Sequence, residues 1–238
     1  MSKHRIYNEI LCPEFWNSQN QLNPEIRKNL LQASLDFYKK TNLTAPVVDI
    51  YLMGSIANYN WNDYSDADVH IIIDFKQLAM PVETVQKMAR AFSDAWNSDH
   101  DILIKKHKLE LNIQDVSETK PHVGGIYSLL KNIWIRIPKK DASKIDKDLI
   151  KIQYEAMKKY IEASLNGPRE TMVKVKKYLD AYRQYGLDTG GELSTENIVF
   201  KILRSKGIIQ KLKDAIIKTY DAIISINEIE DIDQKNKN

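Results

Sequence analysis

The sequence predicts an α+β fold, with strands and helices interleaved over residues 1–140 and helices alone over residues 141–228. Three observations carry that expectation. Val47 to Met53 and Asp68 to Phe75 are short apolar runs rich in β-branched residues, which pack well on a pleated sheet. Lys108 to Val116 alternates, with Leu109, Leu111 and Ile113 on one side and Glu110, Asn112 and Gln114 on the other. That is the period of a half-buried strand, where successive side chains point to opposite faces. After Pro138 the character changes, and stripes such as Tyr178, Leu179, Tyr182 and Ile198, Ile202 recur at helical spacing.

Taken in order, Asn23-Pro24 starts a helix. Asn is a good N-cap, and Pro fits the first helical position because its missing N–H would have no partner there. Leu30, Leu31, Leu35 and Tyr38 continue the helical spacing to a break near Thr41-Asn42. Pro46 then precedes the first strand, and residues 54–65 form a polar and aromatic loop before the second. Residues 82–97 read as a helix, followed by the alternating strand. Gly124-Gly125 leads into a hairpin of Ile126–Leu130 and Ile133–Ile137, turned by Lys131-Asn132, a weak turn pair. Helices are expected at about 142–165, 169–185, 195–206 and 208–226. Asn166-Gly167-Pro168 separates the first pair and Leu187 to Leu193 the second; Ser194 caps the third helix and Gly207 ends it. The tail, residues 229–238, is expected to be disordered.

The bulk composition narrows the function. At 238 residues and 43% hydrophobic, the chain can bury one sizeable core, or a catalytic domain beside a smaller helical one. No apolar run nears the roughly 20 residues that span a bilayer, and residues 1–10 contain no apolar h-region, so neither a membrane span nor a secretion signal is expected. The one cysteine, Cys12, excludes an internal disulfide and a cysteine-cluster zinc site. The cytoplasm is the expected compartment. From Lys131 to Lys218 there are 20 Lys and Arg against 11 Asp and Glu, a balance of +9, so the remainder carries −6 of the net +3. A basic half beside an acidic half suits a polyanion partner such as RNA or nucleotide phosphates; lysines that merely solubilise helix faces give the same count.

The chemistry sits in Leu52-Met53-Gly54-Ser55, followed after ten residues by Asp66-Ala67-Asp68-Val69. Gly54 lets a strand turn into a helix without a side chain, so that backbone amides approach a phosphate, and Ser55 adds a hydroxyl donor. Asp66 and Asp68, two apart in an extended segment, share one face. Mg²⁺ binds through one or two carboxylates plus substrate phosphates. Val69, Ile71 and Ile73, on the other face, would bury the strand and fix the acids. Glu110, between Leu109 and Leu111, is the candidate third acid, with Asp115 and Glu118 as fallbacks; the bland alternative is a surface glutamate on an edge strand.

This pattern resembles the signature of the DNA polymerase β-like nucleotidyltransferases: a hydrophobic residue, Gly, Gly or Ser, a gap, then two aspartates separated and followed by hydrophobic residues. Ala67 is smaller than the usual residue between the acids. Gly54 to Trp61, Tyr64 to His70, Leu109 to Asp115, Gly125 to Leu130 and Gly191 to Asn197 further resemble a family of phage-encoded predicted nucleotidyltransferases, over most of residues 23–215. The resemblance implies a polymerase β-like core, a mixed sheet with flanking helices, and supports Glu110 as the third acid. It implies an NTP substrate, Mg²⁺ or Mn²⁺ at Asp66, Asp68 and Glu110, and nucleoside monophosphate transfer to an acceptor hydroxyl with release of pyrophosphate. A phage origin would place the protein in the host cytoplasm. The family names no acceptor. An RNA 3′ end suits the basic helices; a small molecule or a protein side chain, as for the minimal nucleotidyltransferases of toxin–antitoxin pairs, is the alternative. A catalytically silent nucleotide- or partner-binding module is the competing class, against which stands the cost of keeping like charges clustered.

Other residues carry two readings each. His70 shares a face with Asp68 and would order a water or touch phosphate, or would be a half-buried strand histidine. Tyr59 and Trp61 would stack on a base or anchor their loop. His122, beside Gly124-Gly125, would border the cleft. Lys201 and Arg204, three apart on one helix face, with Lys206, would bind a triphosphate or form a solvated basic face; Lys174, Lys176 and Lys177 read the same way.

Overall fold

A computed structural model describes residues 7–119, 124–140 and 145–225. Its elements run α1 (Pro24–Lys40), β1 (Val47–Met53), β2 (Ala67–Ile73), α2 (Val82–Asp99), β3 (Leu103–Ile104), β4 (His107–Asp115), β5 (Ile126–Ser128), β6 (Ile133–Arg136), α3 (Lys147–Ser164), α4 (Arg169–Gly190), α5 (Thr195–Ser205) and α6 (Ile208–Ile224). The fold is α+β, with a mixed six-stranded sheet ordered β3-β4-β2-β1-β5-β6. β2 pairs antiparallel with β1 and parallel with β4. The parallel pair needs a crossover, which α2 supplies.

Local chemistry explains the starts and stops. The Asn23 side chain accepts bonds from the amides of Glu25 and Ile26 and so caps α1. Ser194 Oγ accepts from Asn197 N at the start of α5, and Gly207 adopts a left-handed φ of 71° between α5 and α6. Asn132 takes φ 58° at the turn before β6, a conformation asparagine tolerates, which is how a weak turn pair still closes a hairpin.

Some expectations change. The buried face of α1 is Ile26, Leu30, Ser34 and Phe37, while Leu35 is exposed. Residues 54–57 form turns rather than the start of a helix. β2 begins at Ala67, so Asp66 is the last residue of the loop. α4 continues through Leu187 to Gly190, because bare Gly186 lets it pack against the Glu196 side chain and Ser194 Oγ. β3 is additional, joined to β4 through Lys105 at φ 57°. The expected tail at 229–238 lies outside the described residues.

Two apolar clusters result. The first gathers Leu30 and Phe37 from α1 against Ile50, Leu52, Val69, Ile71, Ile73 and Leu111 of the sheet. The second joins Ile161, Val175, Leu179, Val199, Leu203 and Leu212 of α3–α6. Among the described residues no helix is long and apolar enough to cross a membrane.

Candidate active site

The site is built where β1 ends beside β2 and β4. Antiparallel pairing sets Met53 opposite Asp68, and the parallel register sets Asp68 opposite Glu110. Val69, Ile71 and Ile73 are fully buried on the other face, so packing fixes the direction in which Asp68 projects. Glu110, Lys108 and Asn112 are half-buried where Leu109 and Leu111 are buried. β4 lies between β3 and β2, but β3 reaches only His107 and Lys108, so Glu110 has a strand neighbour on the β2 side alone.

Gly54 follows β1 with φ +70°. A Cβ there would lie 1.8 Å from Asp68 Oδ2 and 2.8 Å from its Cγ. Gly54 therefore serves the left-handed backbone and the space that Asp68 occupies. Asn58 ties this turn to β5: its side-chain amide donates to Gly54 O at 2.6 Å, and its Oδ1 accepts from Gly125 N at 2.8 Å. Gly54→Ala is expected to rotate Asp68 out of place and lower activity about a hundredfold, since an ångström of misplacement costs that much. Turnover beside circular dichroism checks it, and a folded variant of wild-type turnover would refute it.

The three acids repel one another. Asp68 is pushed up to about 8, first by burial, then by the charges of Glu110 and Asp66, against the opposing pull of Arg204 and Lys201. Glu110 is also raised, by burial first and by Asp66 next, and shares a hydrogen bond with Asp68. Such a trio calls for a compensating cation. All its donors are carboxylate oxygens, the ligand type that hard Mg²⁺ takes.

A cleft of about 340 Å³ opens over the site, lined by Ser55, Tyr64, Asp66, Glu110, Lys201 and Arg204 among others. Asp68 is set back from its lining, against Gly54. Helix α5 supplies the cationic wall. Arg204 Nη2 stands 3.3 Å from Asp66 Oδ2. Lys201 Nζ is 2.7 Å from Glu192 Oε2, with only 17% of its side chain exposed. Lys201 turns inward because the opposite side of α5 carries Val199 and Leu203 into the helical core, whereas Arg204, with 45% of its side chain exposed, stands at the mouth of the cleft.

Glu192 fastens the helices to the loop. Asn60 Nδ2 donates to its carbonyl and its carboxylate at 3.1 and 3.2 Å, and Asn197 Nδ2 does likewise at 2.8 and 3.2 Å. Burial alone would raise the Glu192 carboxyl; the Lys201 charge and hydrogen bond, the Asn60 bond and the Arg183 charge more than offset this and hold it at about 2. Arg183 lies over the Phe200 ring at 4.8 Å, and burial and the Arg204 charge lower it.

The remaining candidates fall away from the cleft. His70 Nδ1 meets Gln114 Oε1 at 2.8 Å, a strand-to-strand pair. Tyr59 is buried, and Trp61 Nε1 donates to Ile10 O at 2.9 Å, so both anchor the loop. Asp115 accepts from Phe75 N and Ser117 N, and Glu118 from Gln86, which engages both fallback acids elsewhere. Lys206 lies over the Tyr154 ring, and Lys176 pairs with Asp180 on its own helix. His122 lies outside the described residues. Glu192, Arg183 and Tyr64 are the residues around the site that sequence reasoning did not single out; the run Gly191-Glu192-Leu193 offered one signal for the first.

No family model matches the chain, and no curated protein matches it. Among solved structures it is similar to the STING-associated CdnE c-di-GMP synthase from Capnocytophaga granulosa, at 16% identity over 87% of this chain and 70% of that one, with a TM-score of 0.23. A superposition that loose carries no weight for fold or activity.

Proposed function

We propose that this chain is a magnesium-dependent nucleotidyltransferase of the polymerase β-like kind, moving a nucleoside monophosphate from an NTP to an acceptor hydroxyl. One observation carries the reading: the parallel register sets Asp68 opposite Glu110, and Glu110 and Asp66 line a cleft whose other wall presents Lys201 and Arg204. Carboxylates for a hard cation and a cationic wall for phosphates are the two halves of a triphosphate site.

The all-oxygen donor set and the mutual repulsion of the acids fit Mg²⁺, held by Asp66 and Asp68 with Glu110 completing the shell. When bound, it supplies charge neutralisation at the phosphates and, as a pair of ions, at both attacking and leaving oxygens. The chain's own residues do the rest. Ser55 at the cleft offers a hydroxyl to a phosphate oxygen, and the Gly54 turn keeps Asp68 in register. Arg204, close to Asp66, exchanges that carboxylate for the triphosphate, and Lys201 shares the charge. Glu110 accepts the proton of the acceptor hydroxyl at its carboxylate. The acceptor oxygen then bonds to the α-phosphorus as the bond to the β-phosphate bridge breaks, and pyrophosphate leaves with the electron pair.

The acceptor rests on less. An RNA 3′ end is suggested by the basic balance of residues 131–218, but Lys176–Asp180 and Lys158–Glu162 neutralise part of that charge locally. RNA requires affinity that falls steeply with salt as counterions are released.

The reading is tested by pyrophosphate release from each of the four NTPs, with Mg²⁺, with Mn²⁺ and with a chelator. Metal-dependent release supports it. No release and no metal-dependent NTP binding would leave a silent fold. Arg204→Ala is expected to raise the KM for NTP about ten- to a hundredfold, the loss of about 1.5–3 kcal/mol from one charge-assisted hydrogen bond. An unchanged KM would detach Arg204 from the triphosphate.

A further inference from the structure

Cys12, Glu14 and His107 converge on one point away from the carboxylate site. Cys12 Sγ lies 3.7 Å from both His107 Nε2 and Glu14 Oε2, and Nε2 lies 2.8 Å from Oε2. Tetrahedral zinc, with bonds of about 2.3 Å to sulfur and about 2.0–2.2 Å to nitrogen and oxygen, separates such donors by about 3.3–3.6 Å. The two sulfur distances are already near these values, and opening the Glu14–His107 pair by about half an ångström would admit the ion.

Each donor is aimed by its neighbours. His107 Nδ1 stands 2.6 Å from the Ser65 carbonyl. A carbonyl only accepts, so Nδ1 donates to Ser65, the arrangement in which metal-bound histidines are held; Nε2 donates to the Glu14 carboxylate, and a metal would take the place of that proton. Glu14 Oε1 is gripped by Lys106 at 2.9 Å, which leaves Oε2 pointing inward. The Phe15 ring meets the imidazole edge-on at 5.6 Å. Cys12 and His107 are buried, while Glu14, with 32% of its side chain exposed, borders a surface cleft of about 310 Å³ that gives an entrance. A nucleophilic role suits Cys12 poorly, because burial and the Glu14 carboxylate push its thiol up to about 11.

The geometry points to a zinc-type transition-metal site formed by Cys12, Glu14 and His107, with one position left to water. Its sulfur and imidazole donors select zinc over the magnesium that an all-oxygen set takes. A lone cysteine excludes a cysteine cluster but not this mixed set. Bound metal would fasten the N-terminal segment to β4. Through the Ser65 carbonyl, and through Lys106, which also pairs with Asp63 at 2.7 Å, it would hold the loop that ends at Asp66.

The full chain, stripped by a chelator and dialysed into metal-free buffer, is titrated with Co²⁺ and then with Zn²⁺. With excess Mg²⁺ present to occupy the carboxylate trio, one equivalent of Co²⁺ is expected, with visible bands of a four-coordinate centre and a near-ultraviolet thiolate-to-cobalt band. Zn²⁺ bleaches both and raises Tm. Cys12→Ser loses the near-ultraviolet band and His107→Gln loses stoichiometric binding. Glu14→Gln, at the partly exposed position where the fold is least at risk, weakens affinity at least about tenfold, with circular dichroism reporting the fold of each. Asp68→Asn binds one equivalent as the wild type does, which separates this site from the carboxylate trio. A wild-type chain that takes up no Co²⁺, or a cobalt spectrum unchanged in folded Cys12→Ser, overturns the assignment.

Discussion

Asp68→Asn is expected to cut NTP turnover about a thousandfold while the protein stays folded. The amide keeps the shape of the carboxylate against Gly54 but loses the charge that a cation needs, and metal stabilisation of a transferring phosphoryl group is worth several kcal/mol at about 1.4 kcal/mol per decade. The fold should not suffer. Asp68 is crowded by Glu110 and Asp66 and pushed up to about 8, so removing its charge relieves repulsion in the metal-free protein. Measured together, kcat should collapse and Tm should hold or rise. Wild-type turnover in this variant would remove Asp68 from the metal site, and a collapsed Tm would show that its role is structural.

Glu192→Gln should be the most damaging change outside the acids, lowering stability at pH 7 by about 3 kcal/mol. The carboxyl sits at about 2 in the folded protein against an ordinary 4.5, and each unit is worth about 1.4 kcal/mol. The folded state binds this proton more weakly than the unfolded chain does. The stabilisation is therefore fully present above pH 4.5 and is lost as pH falls toward 2. Denaturant unfolding across pH should show wild type and variant far apart at neutrality and converging in acid. A gap independent of pH would mean that Glu192 works through packing and hydrogen bonds alone. Because Glu192 joins Asn60 to Lys201, the variant should also loosen the cationic wall of the cleft.

The candidate acids could be picked out because local patterns carry them. Period-two alternation separates Glu110 from Leu109 and Leu111, whereas the shared strand face expected of Asp66 and Asp68 gives way to a loop position for Asp66, one residue before β2. The register that sets Asp68 opposite Glu110 is long-range, and a period-two pattern says only which face a residue takes, not which strand it meets. Lys201 and Arg204 were ambiguous for the same reason: their shared helix face is a local fact, but whether it meets water or the sheet depends on how α5 seats Val199 and Leu203. Glu192 meets Asn60 across 132 residues, a separation no window of sequence spans. In the fold, β3 went unread because its turn places Lys105 in a left-handed conformation where glycine or asparagine would be the usual signal. Leu187 to Leu193 read as the break after a helix ending near 185, whereas packing of Gly186 against Ser194 and Glu196 lets α4 run on to Gly190.

The most direct test is Mg²⁺-dependent transfer from α-labelled NTPs to RNA, to protein, to small molecules and to the chain itself, run beside γ-labelled NTPs and Asp68→Asn. Nucleotidyl transfer predicts α-label in one acceptor fraction, γ-label released as pyrophosphate, and neither with the variant. Label that follows the γ-phosphate into an acceptor, or α-label transfer that survives Asp68→Asn, would contradict it.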